Sequence, residues 1–121
     1  MTRLTIRIDF DDGSALGPGK VRLLELLAET GSIRKSAAAM KMSYRKAWLL
    51  LQALEETFGE PLADTATGGK EGGGARLTAL GRKVVAHYRS AELAALGAAA
   101  RPIASLGRQA DDRARTGKRK S

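Results

Sequence analysis

One stretch, residues 32–55, constrains the fold of this chain more than any other. It reads SIRKSAAAMKMSYRKAWLLLQALE, two helix-forming segments separated by a break of only a few residues. Ser32 and Ser43 precede the two segments, and a serine oxygen can accept a hydrogen bond from an amide that the first helical turn leaves unpaired. The pattern predicts helices from Ile33 to Met40 and from Tyr44 to Phe58, which is the spacing of a helix-turn-helix.

The second of these helices has a core side and a basic tip. Ala47, Leu50 and Leu54 recur at helical spacing, and Arg45 points away from them. In a helix-turn-helix this tip enters the major groove, where arginine, lysine and serine reach base edges and phosphates. A plain helical hairpin with a solvated charged face is the competing interpretation. The residues of the motif that we expect to contact DNA are Ser32, Ser43, Tyr44, Arg45, Lys46 and Gln52.

Composition limits the alternatives. A chain of 121 residues with 43% hydrophobic residues suits one domain with one core. The absence of cysteine and the single histidine argue against a disulfide framework and against a metal site, and we expect no cofactor. The longest apolar run, residues 47–51, is too short for a membrane span, and acidic residues replace a signal-peptide core, so a cytoplasmic protein without a membrane partner is expected.

The net charge of +8 favours a polyanionic partner, and its distribution is uneven. Residues 101–121 hold seven basic residues against two acidic ones, which is most of the excess. We therefore expect a domain over 1–100 and a basic tail over 101–121, with disorder from about Gly107 onward.

The remaining elements follow from local patterns. Alternating apolar and polar residues predict a strand from Arg3 to Phe10, and a proline followed by helical spacing predicts a helix from Pro18 to Thr30. Leu62–Thr67 and Ala75–Leu77 read as strands joined by a glycine-rich tip, a β-hairpin or wing, and a long helix begins at Ala79. The predicted fold is mainly α with a small β component, a winged helix-turn-helix of order β-α-α-α-β-β-α.

An enzyme is not expected. The segment Gly-Gly-Lys invites comparison with a nucleotide-binding loop, but Lys70 is followed by Glu71 and further glycines rather than by Ser or Thr opening a helix. His87 and Tyr88 have no companion nucleophile or carboxylate cluster. The sequence therefore indicates no catalytic residues.

The long helix has more apolar surface than one small core requires, which predicts a homodimer. Its apolar stripe, expected to contact the partner, comprises Leu80, Val84, Tyr88, Ala91 and Ala95. The competing interpretation is that the helix only closes the domain. Trp48 and Leu49 lie off the main buried stripe, and the sequence leaves open whether they pack under the wing or contact DNA.

The chain resembles the amino-terminal winged helix-turn-helix domain of ModE-type molybdate-responsive regulators, which is related to that of LysR-type regulators. The resemblance covers roughly residues 16–88. It is carried by Gly31-Ser32-Ile33, by residues 42–48 (MSYRKAW), by residues 66–70 (ATGGK) and by residues 72–75 (GGGA) followed by Leu77-Thr78 and Gly81.

The resemblance implies roles for three parts of the chain. Ser43, Tyr44, Arg45 and Lys46 would read the major groove, the outer helix over 79–95 would dimerise, and the wing would touch the neighbouring backbone through Thr67, Gly69 and Lys70. Full-length ModE regulators continue into an oxyanion-binding domain that these 121 residues do not contain, so no molybdate binding is expected from this chain alone. Lys41 stands where such turns often use glycine to reach positive φ.

The sequence thus predicts a homodimeric, sequence-specific regulator of transcription that binds double-stranded DNA. The alternative, from another functional class, is a winged-helix module that dimerises or docks on a protein without reading DNA. Operator, target genes, direction of regulation and effector cannot be read from the residues.

Overall fold

A computed structural model describes residues 2–65 and 74–116. Three helices form its centre: α1 (Pro18–Thr30), α2 (Ile33–Ala39) and α3 (Tyr44–Phe58). Their predicted bounds are confirmed to within one residue. Pro18 opens α1 at a position that needs no amide donor, and Gly31 ends it in the left-handed conformation at φ 69°, with its N–H donating to the Leu27 carbonyl.

The turn between α2 and α3 requires an unusual backbone. Lys41 has φ 58°, and among the described residues it is the only non-glycine at positive φ. Such a residue costs of order 1 kcal/mol, so a lysine here is retained against a local conformational preference. The expectation that this position needs positive φ is confirmed.

The wing follows α3, which ends at Gly59. Strand β3 (Ala63–Thr65) pairs antiparallel with β4 (Ala75–Leu77), in the register that sets Ala63 against Leu77 and Thr65 against Ala75. The Ala75 N–H donates to the Gly31 carbonyl at 2.9 Å, which fixes the base of the wing to the end of α1. The predicted wing tip, residues 66–73, lies outside the described residues.

Helix α4 (Ala79–Ala98) closes the core. Thr78 caps it, and Tyr88, only 1% exposed, packs with the leucines of α1 and donates its hydroxyl proton to the Ile6 carbonyl at 2.7 Å. The buried cluster is Leu16, Val21, Leu23, Leu24, Leu27, Ile33, Ala37, Ala47, Leu54, Leu62, Ala75, Leu77, Val84 and Tyr88. No helix among the described residues combines the length and apolar character that crossing a membrane requires.

The amino-terminal strand is much shorter than predicted. Only β1 (Ile8–Asp9) is paired, with β2 (Ala15–Leu16), although the prediction ran from Arg3 to Phe10. The Asp12 side chain accepts from Ser14 N–H at 2.8 Å and turns the chain back. The pairing does not extend from Ile8 back to Ile6. The residue that would face Ile6 is Pro18, which opens α1 and has no N–H.

The basic tail also differs from the expectation. Residues 100–116 form helix α5 (Ala100–Thr116), so disorder from Gly107 is wrong for the described part. Pro102 sits in the first turn, where its missing donor costs nothing, and Arg115 pairs with Asp112 one turn earlier at 2.9 Å. Arg113 and Arg115 also lie in the last turn, where the helix dipole favours cations.

Candidate nucleic-acid interface

Two helix ends with the same residue pattern face solvent side by side in the helix-turn-helix. Ser32 Oγ accepts from Lys35 N–H and Ser43 Oγ accepts from Lys46 N–H, each at 3.0 Å. Both helices therefore begin Ser-X-Arg-Lys, with serine as cap and lysine at the third helical position. Each serine keeps its own hydroxyl proton, which remains available as a donor to a ligand.

The charge of this region is entirely positive. Residues 32–46 contain Arg34, Lys35, Lys41, Arg45 and Lys46 and no acidic residue, and all five side chains are exposed. The ion pairs of the described residues lie elsewhere in the chain. The five cations therefore form a basic patch that no carboxylate within residues 32–46 offsets.

The position of these cations is unfavourable for the isolated protein. The amino end of a helix carries a partial positive charge, so an arginine or lysine in the first turn is destabilising, and acidic residues are the ones that stabilise it. Neither α2 nor α3 has an acidic residue in its first turn. A chain that keeps four cations at two such ends is suited to an anionic partner that supplies the missing negative charge.

Arg34 was not among the residues predicted to contact DNA. Its guanidinium lies over the ring of Tyr44, 4.9 Å from the ring centroid, and so joins the tip of α2 to the tip of α3. The repeated Ser-X-Arg-Lys pattern was the available signal, because it places Arg34 in α2 at the position of Arg45 in α3. Lys35 and Lys41 share the patch and were likewise missed as site residues.

Gln52 lies on the same side of α3 as Arg45, two turns further along, and is exposed. With Trp48, Pro61 and Thr65 it lines a cleft of about 140 Å³ between α3 and β3. Trp48 is 43% exposed and Leu49 is 47% exposed, so neither is packed away in the described structure. The cleft lies at the root of the wing. The predicted wing residues Thr67, Gly69 and Lys70 themselves lie outside the described residues.

The residues predicted to dimerise fall into two groups. Val84 and Tyr88 are buried in the core of their own chain, so they cannot form a dimer surface. Leu80 and Ala95 are half-buried, and Ala91 is exposed. The helical wheel identified an apolar stripe correctly, but α1 covers much of it. Further along, Leu93 is 69% exposed on α4 and Leu106 is 67% exposed on α5.

An ion-pair cluster fixes α4 against α1. All three guanidinium nitrogens of Arg89 contribute: Nε and Nη2 donate to the two Glu25 oxygens at 2.9 Å, and Nη1 donates to Glu92 at 2.7 Å. The Arg89 hydrogen bonds hold the pKa of the Glu25 carboxyl below its usual value, against the opposing effect of burial. Two carboxylate partners raise the pKa of Arg89. The outer helix α4 is thereby tied to α1, which in turn packs against α2.

The sequence of the helix-turn-helix is similar to that of known proteins. Residues 19–82 match the family model of the bacterial regulatory helix-turn-helix protein, lysR family. The molybdenum transport protein ModE of Azotobacter vinelandii is 40% identical over 86 residues, which are 71% of this chain and 32% of that protein. The DNA-binding transcriptional dual regulator ModE of Escherichia coli (strain K12) is 37% identical over 71 residues, 59% of this chain and 27% of that protein.

The chain thus spans about a third of the length of the curated relatives it matches. Among solved structures, the crystal structure of a CbnR_DBD–DNA complex aligns with 84% of this chain and 97% of that one, at 23% identity and a TM-score of 0.49. The family model covers more than half of the chain and describes a regulatory protein rather than an enzyme. This chain, with its winged helix-turn-helix, belongs to the lysR family of bacterial regulatory helix-turn-helix proteins.

Proposed function

We propose that this protein is a transcriptional regulator that binds double-stranded DNA sequence-specifically as a homodimer. The observation that carries the proposal is the basic patch at the amino ends of α2 and α3. Residues 32–46 contain no acidic residue that could offset its charge. DNA supplies a regular array of phosphates, and an α-helix fits its major groove. A regulator of bacterial genes works beside the chromosome, so the proposal implies a cytoplasmic location.

The tip of α3 has the chemistry that base reading requires. Arg45 is exposed in the first turn of α3, and an arginine can donate two parallel hydrogen bonds to O6 and N7 of guanine. Ser43, Tyr44 and Lys46 surround it with further donors, and Gln52 extends the same face. We assign base reading to this face. The Ser32 hydroxyl and the remaining cations of the patch, Arg34, Lys35 and Lys41, contact phosphates.

The wing would contact the neighbouring DNA backbone through Thr67, Gly69 and Lys70. Its root supports this assignment, because β4 is tied to the end of α1 and β3 borders the cleft beside α3. A contact from this side would reach a second segment of the same duplex. A lysine there acts as a point charge for phosphate and carries little sequence information.

The curated relatives that are named as regulators of transcription include those of Escherichia coli and of Haemophilus influenzae, the latter 34% identical over 87 residues. Their names support the proposed role, and we extend it to this chain on the strength of the shared helix-turn-helix. The homodimer uses the outer part of α4 and the helix that follows, where Ala91, Leu93, Leu96 and Leu106 are exposed. Val84 and Tyr88 are buried and do not belong to that surface.

A second candidate is a winged-helix module that docks on another protein. The exposed Trp48 and Leu49 favour it, because large apolar side chains on the surface are common in protein interfaces. The two candidates differ in their response to competitor DNA. A specific regulator keeps its duplex in a large excess of unrelated duplex, and a protein-docking module does not.

The deciding experiment selects a preferred duplex from a random pool and compares the Kd of three variants for it and for a scrambled duplex, at several salt concentrations. Arg45→Ala should lose roughly 1–3 kcal/mol of discrimination between the duplexes. Lys70→Ala should weaken both complexes evenly and reduce the magnitude of the salt slope by about one. Arg108→Ala, which removes an exposed arginine from α5, is the matched control and should change discrimination little.

Two results would count against the proposal. If the wild type selects no duplex from the pool, sequence-specific binding is wrong and the docking module becomes the better account. If Arg45→Ala weakens both duplexes by the same factor, the protein binds DNA but does not read bases through Arg45. Circular dichroism must show each variant folded, as we expect because the Arg45 and Arg108 side chains are exposed.

A further inference from the structure

The segment before β1 has the side-chain pattern of a strand but almost none of its pairing. Leu4, Ile6, Ile8 and Phe10 are half-buried, while Arg3, Thr5, Arg7 and Asp9 are exposed. This period of two is that of an extended chain with one face on the core. Only Ile8 and Asp9 pair with β2. The strand pattern therefore extends over residues 3–7, which pair with no strand among the described residues.

One edge of this segment is occupied. Phe10 N–H donates to the Ser14 carbonyl at 2.8 Å, Ile8 lies opposite Leu16, and the Ile6 carbonyl accepts from the Tyr88 hydroxyl at 2.7 Å. These are all even-numbered residues. Backbone groups of successive residues in an extended chain point to opposite edges, so the odd-numbered residues direct theirs away from β2 and Tyr88.

The other edge is open. Arg3, Thr5 and Arg7 make no backbone-to-backbone hydrogen bond within residues 2–65 and 74–116, and Asp9 faces the same edge by the alternation. The edge is held in place, because Ile6 is fixed to α4 and Ile8 to β2. A row of unpaired N–H and C=O groups on a fixed segment is a template for another strand.

We propose that a second copy of this chain occupies this edge, the two segments pairing antiparallel about a two-fold axis at Ile6. Thr5 of each copy then lies opposite Arg7 of the other, and Arg3 lies opposite Asp9. Each such pair exchanges two backbone hydrogen bonds. The inference rests on the homodimer of the proposed function and names one part of its interface.

The charges select this register and this occupant. A two-fold axis at Thr5 would set Arg3 against Arg7 twice, and an axis at Arg7 would set that arginine against its own copy; both juxtapose like charges across the strands. The axis at Ile6 instead creates two Arg3–Asp9 pairs. Asp9 already accepts from Arg7 Nε of its own chain at 2.9 Å, so each carboxylate would lie between two arginines. This self-complementarity favours a second copy over an unrelated strand.

The first test removes one donor from the open edge. Thr5→Pro deletes the N–H of a residue whose side chain is exposed and whose backbone faces away from the core, so the domain should fold. We expect the Kd of dimerisation, measured by sedimentation equilibrium without DNA, to rise at least about tenfold. Thr5→Val keeps the N–H and the β-branch and should leave the Kd unchanged.

The second test uses charge exchange between chains. Arg3→Asp alone and Asp9→Arg alone each create like-charged pairs in the self-dimer, so each should raise the Kd roughly tenfold. A mixture of the two variants restores both attractive pairs and should form a heterodimer about as tight as the wild-type dimer. Amide hydrogen exchange should also show Arg3, Thr5, Arg7 and Asp9 becoming protected as the wild-type concentration rises.

The outcomes separate this inference from the proposed function. A Thr5→Pro protein that dimerises as tightly as the wild type overturns the strand pairing and leaves the homodimer to α4 and α5. Absence of heterodimer rescue overturns the register at Ile6. A wild type that stays monomeric at every concentration defeats the homodimer itself, and with it this inference. None of these results depends on whether the protein binds DNA.

Discussion

At the scale of single residues, the helix-turn-helix has lysines at positions where a lysine lowers the stability of the fold. Ser43 Oγ accepts a hydrogen bond from the Lys46 backbone N–H. A glutamate at position 46 would complete a reciprocal cap, because its side chain could accept a hydrogen bond from the Ser43 backbone N–H. Lys35 stands in the same relation to Ser32. Lys41 adds a third unfavourable choice, a side chain at positive φ. An anionic partner would interact favourably with all three lysines and so offset the stability that they cost the free protein.

Lys46→Glu should therefore separate stability from binding. The substitution replaces a repulsion with the helix dipole by an attraction and completes the cap, so the free energy of unfolding should rise by about 0.3–1 kcal/mol. DNA affinity should fall strongly at low salt, because a carboxylate then faces the phosphates. Urea titration and filter binding measure the two effects. Arg108→Glu carries the same change in charge on α5, and an equal loss of affinity in that variant would argue against a local role for Lys46.

At the scale of elements, the sequence was informative wherever a signal was local. Pro18, Gly31, Ser43 and Gly59 mark the ends of α1 and α3, because caps and stops are encoded within a few residues. Non-local facts were inaccessible. The strand from Arg3 to Phe10 was predicted from its alternation, but whether a strand pairs depends on a partner elsewhere.

The same distinction between local and non-local signals applies to the candidate site. The exposed tip of α3 followed from helical spacing, whereas the Arg34–Tyr44 contact depends on how two helices cross. Val84 and Tyr88 were assigned to a partner because a helical wheel shows an apolar stripe without showing what covers it. Helix α5 differs from the prediction because the expected disorder rested on the Arg, Lys, Asp, Gly and Ser composition from about Gly107 onward, and such a composition does not show which residues a preceding helix can continue into.

The start of α4 depends on a glycine that local sequence rules do not explain. A Cβ at Gly81 would collide with the Leu62 carbonyl, the same oxygen that accepts from Thr78 N–H at 3.0 Å. Gly81→Ala should therefore destabilise the domain by about 1–3 kcal/mol, since the neighbour is backbone and cannot move aside. Gly97→Ala in the same helix meets nothing within 4 Å and should instead stabilise by up to about 1 kcal/mol. Thermal unfolding of both variants tests this; equal effects would contradict the close approach of α4 to Leu62.

The contact between α1 and α4 should respond to acid. Because the folded-state pKa of Glu25 is lowered by Arg89, its contribution to stability is present above the usual value near 4.5 and is lost as the pH falls through the folded value. Glu25→Gln should cost about 1 kcal/mol at pH 7 and should flatten the loss of stability below pH 4.5. Glu29→Gln, whose carboxylate is more exposed and lies 3.7 Å from Arg22, is the control. If both variants follow the wild-type pH profile, the Glu25–Arg89 pair contributes little.

At the scale of the whole molecule, charge and symmetry together set what kind of site can be bound. Among the described residues, the basic patch lies at one end of α3, while Glu55 and Glu56 lie at its other end. Only one end of that helix therefore suits a phosphate backbone, which fixes the direction in which each copy can approach a duplex. A dimer built on a two-fold axis presents two such ends, related by the same axis.

The expected footprint follows from that symmetry. A two-fold dimer can use both α3 tips on one face of a duplex only if the half-sites are inverted copies of each other, with centres about one helical turn, roughly 34 Å, or a multiple of it apart. Hydroxyl-radical footprinting on the selected duplex should show two such protected half-sites. Inserting five base pairs between them turns one half-site to the opposite face of the DNA, so affinity should fall sharply, while inserting about ten should restore part of it. Protection of a single asymmetric site, insensitive to these insertions, would mean that one copy binds alone and that DNA recognition does not require the dimer.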